Sequence, residues 1–281
     1  MKTALVLEGG AMRGIYTSGV LDVFLDHGIK FDAVFGVSAG AIHGATYVAE
    51  QNRRNIRYYK KYRNDKHFMG MYSLFTTGDI VGKDFCYRQI PDELDPFDYD
   101  TFKNSKTKFY AVCTDVSSGK PIYAHITDLR TQMEFLRASA SMPIVSNYVY
   151  VGPRLMLDGG VTDSIPVRAA MKLGYDKVVV VQTREEGYVK QSEDNFLARH
   201  IYGHLPNFYN AIRNRHKMYN AQLRDVKELA ENGTIAAIRP SRAMNIGRLE
   251  KDVNKIEAMY QLGRYDAENN IDKIIEYLEV K

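Results

Sequence analysis

One serine stands between two glycines in a pattern that can carry out acyl transfer. Gly36-Val37-Ser38-Ala39-Gly40 matches G-x-S-x-G and falls between a predicted strand and a predicted helix, the context that a nucleophile elbow requires. Side chains in place of Gly36 and Gly40 would collide with neighbouring backbone, so glycine permits the sharp turn that exposes the serine hydroxyl. The turn also directs the amide of Ala39 at the position where an oxyanion would form. The pattern predicts a nucleophilic Ser38, and an ordinary glycine-rich turn is the alternative.

A second glycine-rich turn comes earlier, at the end of the first predicted strand. Residues 9–14 read GGAMRG, and their glycines free backbone amides to point at an anion. A dinucleotide-binding turn is the competing interpretation, but Ala11 occupies the position where close approach to a pyrophosphate needs glycine. Arg13 adds a positive charge that would assist an oxyanion or a phosphate-bearing substrate. Alternatively, Arg13 pairs with a carboxylate elsewhere in the fold.

A carboxylate follows a third apolar run. Asp158-Gly159-Gly160 comes directly after the apolar residues 155–157. A carboxylate at the carboxyl end of a strand lies where α/β sheets place their ligand chemistry. On its own the pattern is weak, because aspartate before two glycines is more often a turn residue than a catalyst.

The surrounding elements place all three turns in an α/β fold. Strands are predicted near 3–7, 32–35, 108–114, 121–125, 155–157, 177–182 and 234–238. Helices are predicted up to about residue 27, from 41 into a basic stretch, and at 129–140, 166–173 and 193–231, with two more in 249–278 separated near Gly263. The alternation predicts a three-layer α/β/α fold with a mainly parallel central sheet. We expect a catalytic core at 1–185 and a mainly helical C-terminal extension, 186–281, packed on it.

Composition restricts the class of protein. The chain has 281 residues and 45% hydrophobic content, enough for one substantial core. No apolar run approaches the roughly 20 residues of a membrane-spanning helix, and the first apolar stretch is too short for an export signal. Cys86 and Cys113 are far apart and match neither a disulfide framework nor a metal site. A reducing, cytoplasmic compartment is therefore expected.

Seven cations crowd into residues 53–66 and alternate with tyrosines. One interpretation is the solvated face of a helix that continues from Ala41. The other is a patch for an anionic surface or a phospholipid headgroup. No nucleic-acid partner is expected, because no recognised binding motif accompanies the charge.

Together the three turns resemble a known family. GGAMRG (9–14), GVSAG (36–40) and DGG (158–160) are similar, in that order, to the G-G-x-x-R-G, G-x-S-x-G and D-G-[GA] motifs of patatin-like phospholipases. The segment 138–143, ASASMP, is similar to a further segment of that family. The resemblance covers about residues 3–185, and the tail looks like that of bacterial members. Ala11 departs from the pattern where many members have a third glycine, and its Cβ would narrow the acyl site.

The resemblance implies a Ser–Asp dyad without histidine. Ser38 would attack a lipid ester and Asp158 would accept its proton, with no cofactor and no metal. The oxyanion hole would be formed by Gly9, Gly10, Ala11, Arg13 and Gly14; the elbow by Gly36, Val37, Ala39 and Gly40; and the turn after the base by Gly159 and Gly160. Because a free aspartate has a pKa of about 3.9, we expect Asp158 to be at least partly buried.

Two other functions remain open from the sequence. An α/β-hydrolase triad could recruit His200, His204 or His216, which all follow Asp158, whereas His43 is expected to pack in the fold. A catalytically silent module could instead bind a lipid or a nucleotide through the glycine turns. For the hydrolase, phospholipid or lysophospholipid is the expected substrate, followed by acylglycerol or simple esters. Apolar residues in 68–85 predict either transient contact with a membrane or a lid over the site.

Overall fold

The described residues contain one eight-stranded sheet with a parallel centre. The computed structural model describes residues 1–192 and 196–279. Its strands are β1 (Thr3–Leu7), β2 (Ala33–Val37), β3 (Lys108–Asp115), β4 (Lys120–Ile126), β5 (Val149–Val151), β6 (Arg154–Asp158), β7 (Lys177–Val181) and β8 (Ile235–Ile238). They follow the order β5-β6-β3-β2-β1-β7-β8, and β4 pairs with β3. The five neighbouring strands β3, β2, β1, β7 and β8 run parallel to one another. β4 and β6 run antiparallel to β3. The predicted mainly parallel sheet is confirmed.

Helices cover both faces of this sheet. They are α1 (Ile15–Asp26), α2 (Ala39–Val48), α3 (Arg54–Tyr62), α4 (Met71–Thr77), α5 (Tyr99–Asn104), α6 (Leu129–Ser139), α7 (Val167–Lys172), α8 (Phe196–Tyr202), α9 (Pro206–Glu231), α10 (Val253–Glu268) and α11 (Ile271–Glu279), with a π-helical segment at Phe85–Leu94. Alternate residues of β1 point to opposite layers: Leu5 packs with α1, α2 and α10, whereas Val6 packs with α7 and α9. The predicted three-layer arrangement is confirmed.

The helix predicted to run from Ala41 into the basic stretch is in fact two helices. α2 ends at Val48 and α3 begins at Arg54. Glu50 and Arg53 between them have φ angles of 54° and 59°, a left-handed conformation that a continuous α-helix cannot contain. The chain therefore turns before the basic residues.

Two of the seven cations in the basic stretch are buried, and the other five are exposed. The Arg54 guanidinium is buried and donates a 2.6 Å hydrogen bond to the Asp95 carbonyl, while Arg57 donates to both Asp95 carboxylate oxygens. Arg63 is fully buried and donates to the carbonyls of Met69, Leu249 and Glu250. These cations hold neighbouring loops, so the interpretation of the stretch as a helix face open to solvent is wrong for Arg54 and Arg63.

The break predicted near Gly263 is also absent, because α10 continues through it to Glu268. A Cβ on Gly263 would lie 2.1 Å from the Tyr16 carbonyl oxygen, and one on Gly19 would lie 2.2 Å from the Tyr260 carbonyl oxygen. Each glycine thus lets α1 and α10 approach backbone to backbone. The glycine that looks like a helix stop in the sequence is a contact point between helices.

The C-terminal part of the chain adds to the sheet as well as covering it. β8 pairs parallel with β7 from Val178 to Val181. The helix prediction for 193–231 is borne out by α8 and α9, and residues 193–195 lie outside the described part. No described helix combines the length and the apolar character that crossing a membrane requires.

Candidate active site

The register of β3 brings the predicted nucleophile and base together. β2 and β6 both pair with the edge of β3 opposite β4, and they approach each other from opposite directions. Val37, the last residue of β2, pairs with Val112, and Asp158, the last residue of β6, pairs with the next residue, Cys113. Ser38 and Asp158 therefore meet where the two strand ends face each other, although 119 residues separate them in the chain.

Ser38 occupies a strained turn between β2 and α2. Its φ and ψ angles are 54° and −123°, and non-glycine residues adopt such values only when the surrounding structure holds them. A Cβ on Gly36 would lie 2.4 Å from the Ala41 Cα, and one on Gly40 would lie 2.5 Å from the Leu7 carbonyl oxygen. The steric reason for both glycines, inferred from the sequence, is confirmed by these distances.

The end of α6 and the residues after it hold the backbone amides of Ser38 and Asp158. The Ser38 amide donates a 2.9 Å hydrogen bond to Ser139 Oγ, and that hydroxyl donates to the Val112 carbonyl at 2.7 Å. The Asp158 amide donates to the Ser141 carbonyl at 2.8 Å. The ASASMP segment, noticed in the sequence only through the family resemblance, thus links the ends of β2 and β6.

The Asp158 carboxyl is buried, with 6% of the residue exposed. Burial raises the pKa of this carboxyl; the Arg215 guanidinium, a hydrogen bond with the Ser38 side chain and the Gly160 amide, 2.7 Å from Oδ1, each lower it in part. The expected burial of Asp158 is confirmed. A carboxylate with a raised pKa accepts a proton from a serine hydroxyl more readily than a solvated aspartate does.

The glycine-rich turn at residues 9–14 lies against the elbow at residues 36–40. Residues Ala11–Gly14 form a single 3-10 turn, and Ala11 has a φ of 48°. A Cβ on Gly9 would come within 3.1 Å of the Ser38 Cβ, so the two turns are in contact. Within the described residues, the amides of Gly10 and Ala11 donate to no protein acceptor. Both amides are therefore available to an oxygen atom bound beside Ser38.

Arg13 lies close to a carboxyl group but forms no ion pair with it. Burial and the nearby Arg184 guanidinium lower the pKa of Arg13, while the Glu8 carboxyl raises it. The buried Nε atom of Arg13 has no hydrogen-bond partner among the described residues. Arg13 therefore contributes positive charge beside the elbow, and its guanidinium is not consumed by a salt bridge within that part of the chain.

Three residues that the sequence analysis did not single out support these turns from α9. The Tyr219 hydroxyl donates a short hydrogen bond to buried Glu8, and Arg215 Nε donates to the Gly160 carbonyl at 2.6 Å. Gln222 accepts from the amides of Ser164 and Ile165. These α9 residues are spaced i, i+4 and i+7, so they lie on one helix face. Glu8 directly after the apolar residues of β1 was the one signal in the sequence that could have suggested a buried partner.

Two cavities open at Ser38. The narrower one, of about 100 Å³, is bounded mostly by apolar side chains, among them Ile42, Tyr58, Phe68, Met69, Ile90, Leu129, Met133 and Leu136. The wider cleft, of about 410 Å³, is bounded by Ser38, by the turn at residues 9–14, by Asp158 and Gly160, and by many polar side chains. Ala11 borders both cavities. One side of Ser38 thus suits an acyl chain and the other suits a polar group.

The histidines differ in their relation to this cleft. His43 is fully buried, and burial lowers the pKa of its imidazole to about 4, so it is a neutral packing residue as expected. His200 and His204 are exposed. His216 borders the cleft, where its Nδ1 lies 3.1 Å from the Arg213 carbonyl oxygen. Of the predicted triad partners, His216 therefore requires an experimental test. Among the described residues, no group of three or more His, Cys, Asp or Glu side chains is arranged to hold a metal ion.

Comparison with known proteins matches both parts of the chain to families. A family model described as patatin-like phospholipase matches residues 5–171, and one described as a domain of unknown function (DUF6363) matches residues 205–279. The uncharacterized protein YjjU of Escherichia coli is 28% identical over 65% of this chain and 52% of its own length. A lysophospholipase nte1 of Aspergillus terreus is 29% identical over 63% of this chain.

These relatives are longer proteins. The chain spans about half of the Escherichia coli relative and 12% of the Aspergillus terreus lysophospholipase. Patatin-like phospholipase domain-containing protein 7 of Rattus norvegicus is 28% identical over 63% of this chain and 13% of its own. Among solved structures, VipD from Legionella pneumophila aligns over 97% of this chain and 67% of its own, with 12% identity and a TM-score of 0.45.

Proposed function

Because the chain belongs to the patatin-like phospholipase family, whose model matches residues 5–171, we propose that it hydrolyses carboxylic esters of lipids through Ser38 and Asp158. The observation that supports this most directly is the meeting of β2 and β6 on one edge of β3, which puts the elbow serine beside a buried carboxylate. Phospholipids or lysophospholipids are the proposed substrates, followed by acylglycerols.

The proposed reaction has two stages. Ser38 Oγ attacks the ester carbonyl while Asp158 accepts the hydroxyl proton, and the amides of Gly10 and Ala11 bind the oxyanion. Asp158 then returns the proton to the departing alcohol, which leaves an acyl group on Ser38. A water molecule, deprotonated by Asp158, attacks this acyl-enzyme; when the bond between the acyl group and Ser38 breaks, Asp158 returns the proton to Ser38 Oγ and the fatty acid is released.

The two cavities suggest how the substrate lies. The apolar cavity would hold the acyl chain, and its walls of Phe68, Met69 and Leu136 are buried. The cleft on the Asp158 side would hold the alcohol part of the ester. This orientation places the carbonyl between Ser38 and the Gly10–Ala11 amides.

Some residues of the 68–85 segment suit a lid over the site, and others suit contact with a membrane. Phe68 and Met69 are buried in the apolar cavity, whereas Met71, Tyr72 and Phe75 of α4 are exposed. Since Met71 and Leu74 also border the cleft, α4 lies at its rim. We propose that α4 touches the membrane while a substrate enters.

The test uses a fluorophosphonate probe, which reacts with activated serine, together with p-nitrophenyl esters of short and long acyl chains. Wild type should be labelled and active, and both properties should be lost in Ser38→Ala. Asp158→Asn should lower turnover by several orders of magnitude, as loss of a base does in other serine hydrolases. His216→Ala should remain active.

Each other function gives a different result. Loss of labelling in His216→Ala would support a Ser–Asp–His triad. A folded wild type that is neither labelled nor active would support a binding module without catalysis. A positive result identifies the hydrolase, and the polar cleft then becomes the place to look for its preferred substrate.

A further inference from the structure

The polar cleft beside Ser38 is strongly cationic among the described residues. Six bordering residues carry a guanidinium or an ammonium group, and two carry a carboxyl group. The cations are Arg13, Arg184, Lys190, Arg213, Arg215 and Arg248, and the acids are Glu8 and Asp158. Lys190 and Arg248 each take part in a further interaction, so the candidate anion site consists of the other four cations, Arg13, Arg184, Arg213 and Arg215.

The acids in the cleft do little to neutralise these arginines. Burial raises the pKa of Glu8, whose carboxyl already accepts hydrogen bonds from Tyr219 and the Thr183 amide. Asp158, also with a raised pKa, faces Ser38. Among the described residues, no carboxylate oxygen lies within ion-pair distance of the four arginine side chains. The four guanidinium groups therefore outnumber the two carboxyl groups that border the cleft.

Two of the arginines lie close enough to repel each other. Arg184 lowers the pKa of Arg13, and the buried Nε of Arg13 has no partner among the described residues. Like charges held together beside an unused donor are stabilised when an anion binds between them. This pair marks the part of the cleft next to the oxyanion turn.

The other two arginines come from α9, in the region matched by the second family model. Arg215 uses Nε to hold the Gly160 carbonyl, and its charge faces Asp158. Arg213 is exposed at the border of the same cleft. The C-terminal region thus adds positive charge on the Asp158 side, which is the side proposed for the alcohol part of the substrate.

We propose that this cleft binds the phosphate of a lipid whose headgroup has a net negative charge, so that the enzyme prefers acidic lysophospholipids. The inference rests on the proposed function and specifies its substrate class. A guanidinium group can donate two parallel hydrogen bonds to two oxygens of one phosphate. These charge-assisted hydrogen bonds are stronger than hydrogen bonds to a neutral group. A choline headgroup would bring its own cation into the cleft, and a monoacylglycerol would leave the arginines without an anion.

The experiment compares three substrates that share one octanoyl chain: lysophosphatidic acid, lysophosphatidylcholine and monooctanoylglycerol. A short chain keeps the substrates monomeric, so attraction to a charged membrane does not contribute. Fatty-acid release gives kcat/KM for each. We expect lysophosphatidic acid to exceed the other two by about tenfold or more, the size of one good charge-assisted contact. Raising the ionic strength should reduce this preference.

The double variant Arg184→Gln/Arg213→Gln should lower the ratio of kcat/KM for lysophosphatidic acid over monooctanoylglycerol by about tenfold. Arg224→Gln is the matched control, because Arg224 is an exposed arginine of α9 outside the cleft. It should keep the wild-type ratio. Fluorophosphonate labelling of each variant shows that its elbow is folded.

Two outcomes would overturn the inference while leaving the proposed function intact. One is equal or lower kcat/KM for lysophosphatidic acid in a labelled, active wild type. The other is an unchanged ratio in the labelled double variant. Absence of labelling and of hydrolysis with every ester would instead overturn the proposed function, and the inference with it.

Discussion

At the scale of single residues, the surroundings of Asp158 control the pKa of the proposed base. Burial raises the pKa of its carboxyl, and Arg215 opposes that rise across the cleft. As the proposed base, Asp158 is active only when deprotonated, so its pKa sets the acidic limb of the kcat/KM profile. The position of Arg215 on α9 therefore connects the C-terminal region to the pH range of the proposed reaction.

Removing the charge of Arg215 should move the acidic limb to higher pH. In Arg215→Gln the cation that lowers the Asp158 pKa is gone, so we expect the midpoint of the acidic limb to rise. Arg215→Lys keeps the charge and should stay near wild type. The measurement is kcat/KM for an uncharged p-nitrophenyl ester against pH. Equal displacement in both variants would show that the hydrogen bond to Gly160, and not the charge, controls the base.

Asp158→Asn should stabilise the fold while abolishing activity. Because the folded-state pKa of Asp158 is raised, ionising it costs folding free energy as pH rises from the unfolded value of 3.8 towards the folded pKa. Each unit of that difference corresponds to about 1.4 kcal/mol. Denaturation curves should show Asp158→Asn more stable than wild type at neutral pH, with the gap closing below the unfolded pKa. A constant gap across pH would contradict this explanation.

The sequence predicted the residues of the candidate site far better than it predicted which other residues contact them in the folded chain. Ser38 and its glycines are contiguous in the sequence, so one local pattern contains the whole elbow. The pairing of Ser38 with Asp158 was implied only by the family resemblance, because no local pattern encodes how β6 lies along β3. Glu8 and Arg215 were missed for the same reason, since their partners Tyr219 and Gly160 are 211 and 55 residues away.

At the scale of elements, one face of α9 supports two glycine-rich turns, the one at residues 9–14 and the one at residues 158–160. Tyr219 reaches the turn after β1 through Glu8, and Gln222 reaches the segment after Asp158. In sequence these are polar residues in a polar helix, and helical spacing alone does not distinguish a supporting face from a solvated one. Sequence could thus predict that α9 exists but not which of its faces is used.

Tyr219→Phe should destabilise the protein and reduce activity together. It removes the hydroxyl that donates to buried Glu8, and an unsatisfied buried acceptor costs about 1–3 kcal/mol. Tyr209→Phe on the same helix is the control, because no hydrogen bond of its hydroxyl to a described residue is seen. Urea denaturation and p-nitrophenyl ester turnover are the measurements. Unchanged stability in Tyr219→Phe would mean that Glu8 is satisfied in another way.

α4 provides an element-scale prediction about membranes. Phe75 is 80% exposed, and polar substitution at this position removes apolar surface that would enter the lipid. We expect Phe75→Ser to bind phospholipid vesicles several-fold more weakly in sedimentation, since burying a phenylalanine side chain contributes about 1.5–3 kcal/mol. Tyr265→Ser, an exposed aromatic of α10, serves as the control. Equal vesicle binding by Phe75→Ser and wild type would leave α4 as a cover of the cleft only.

At the scale of the whole molecule, the two parts matched by different families share one sheet and one site. β8 extends the sheet beyond β7, and α10 packs tightly on α1 through Gly19 and Gly263. The sequence predicted every described strand except β5, because strand periods are local and the three residues of β5 are too few to show one. It predicted a break at Gly263 wrongly because a glycine required by a neighbouring helix looks the same as a glycine that ends one.

A chain ending at residue 204 should therefore fail to fold. It would lose β8 and α10, exposing the edge of β7 and the apolar surface of α1, and with α9 it would lose both Tyr219 and Arg215. Exposed strand edges and apolar faces favour aggregation. Soluble yield and circular dichroism, compared with the full chain, are the measurements. A soluble fragment labelled by fluorophosphonate would show that residues 1–204 form an independent unit.

Because β2 and β6 meet end to end on β3, the candidate site can form only late in synthesis on the ribosome. Ser38, the proposed nucleophile, emerges early, but Asp158 follows 120 residues later and the supporting face of α9 later still. A nascent chain cannot place Ser38 beside Asp158 before β3 has paired with both strands, and such long-range pairing is slow. If the pair acts as proposed, unfinished chains lack esterase activity, and the cell's own lipids meet the hydrolase only when it is complete.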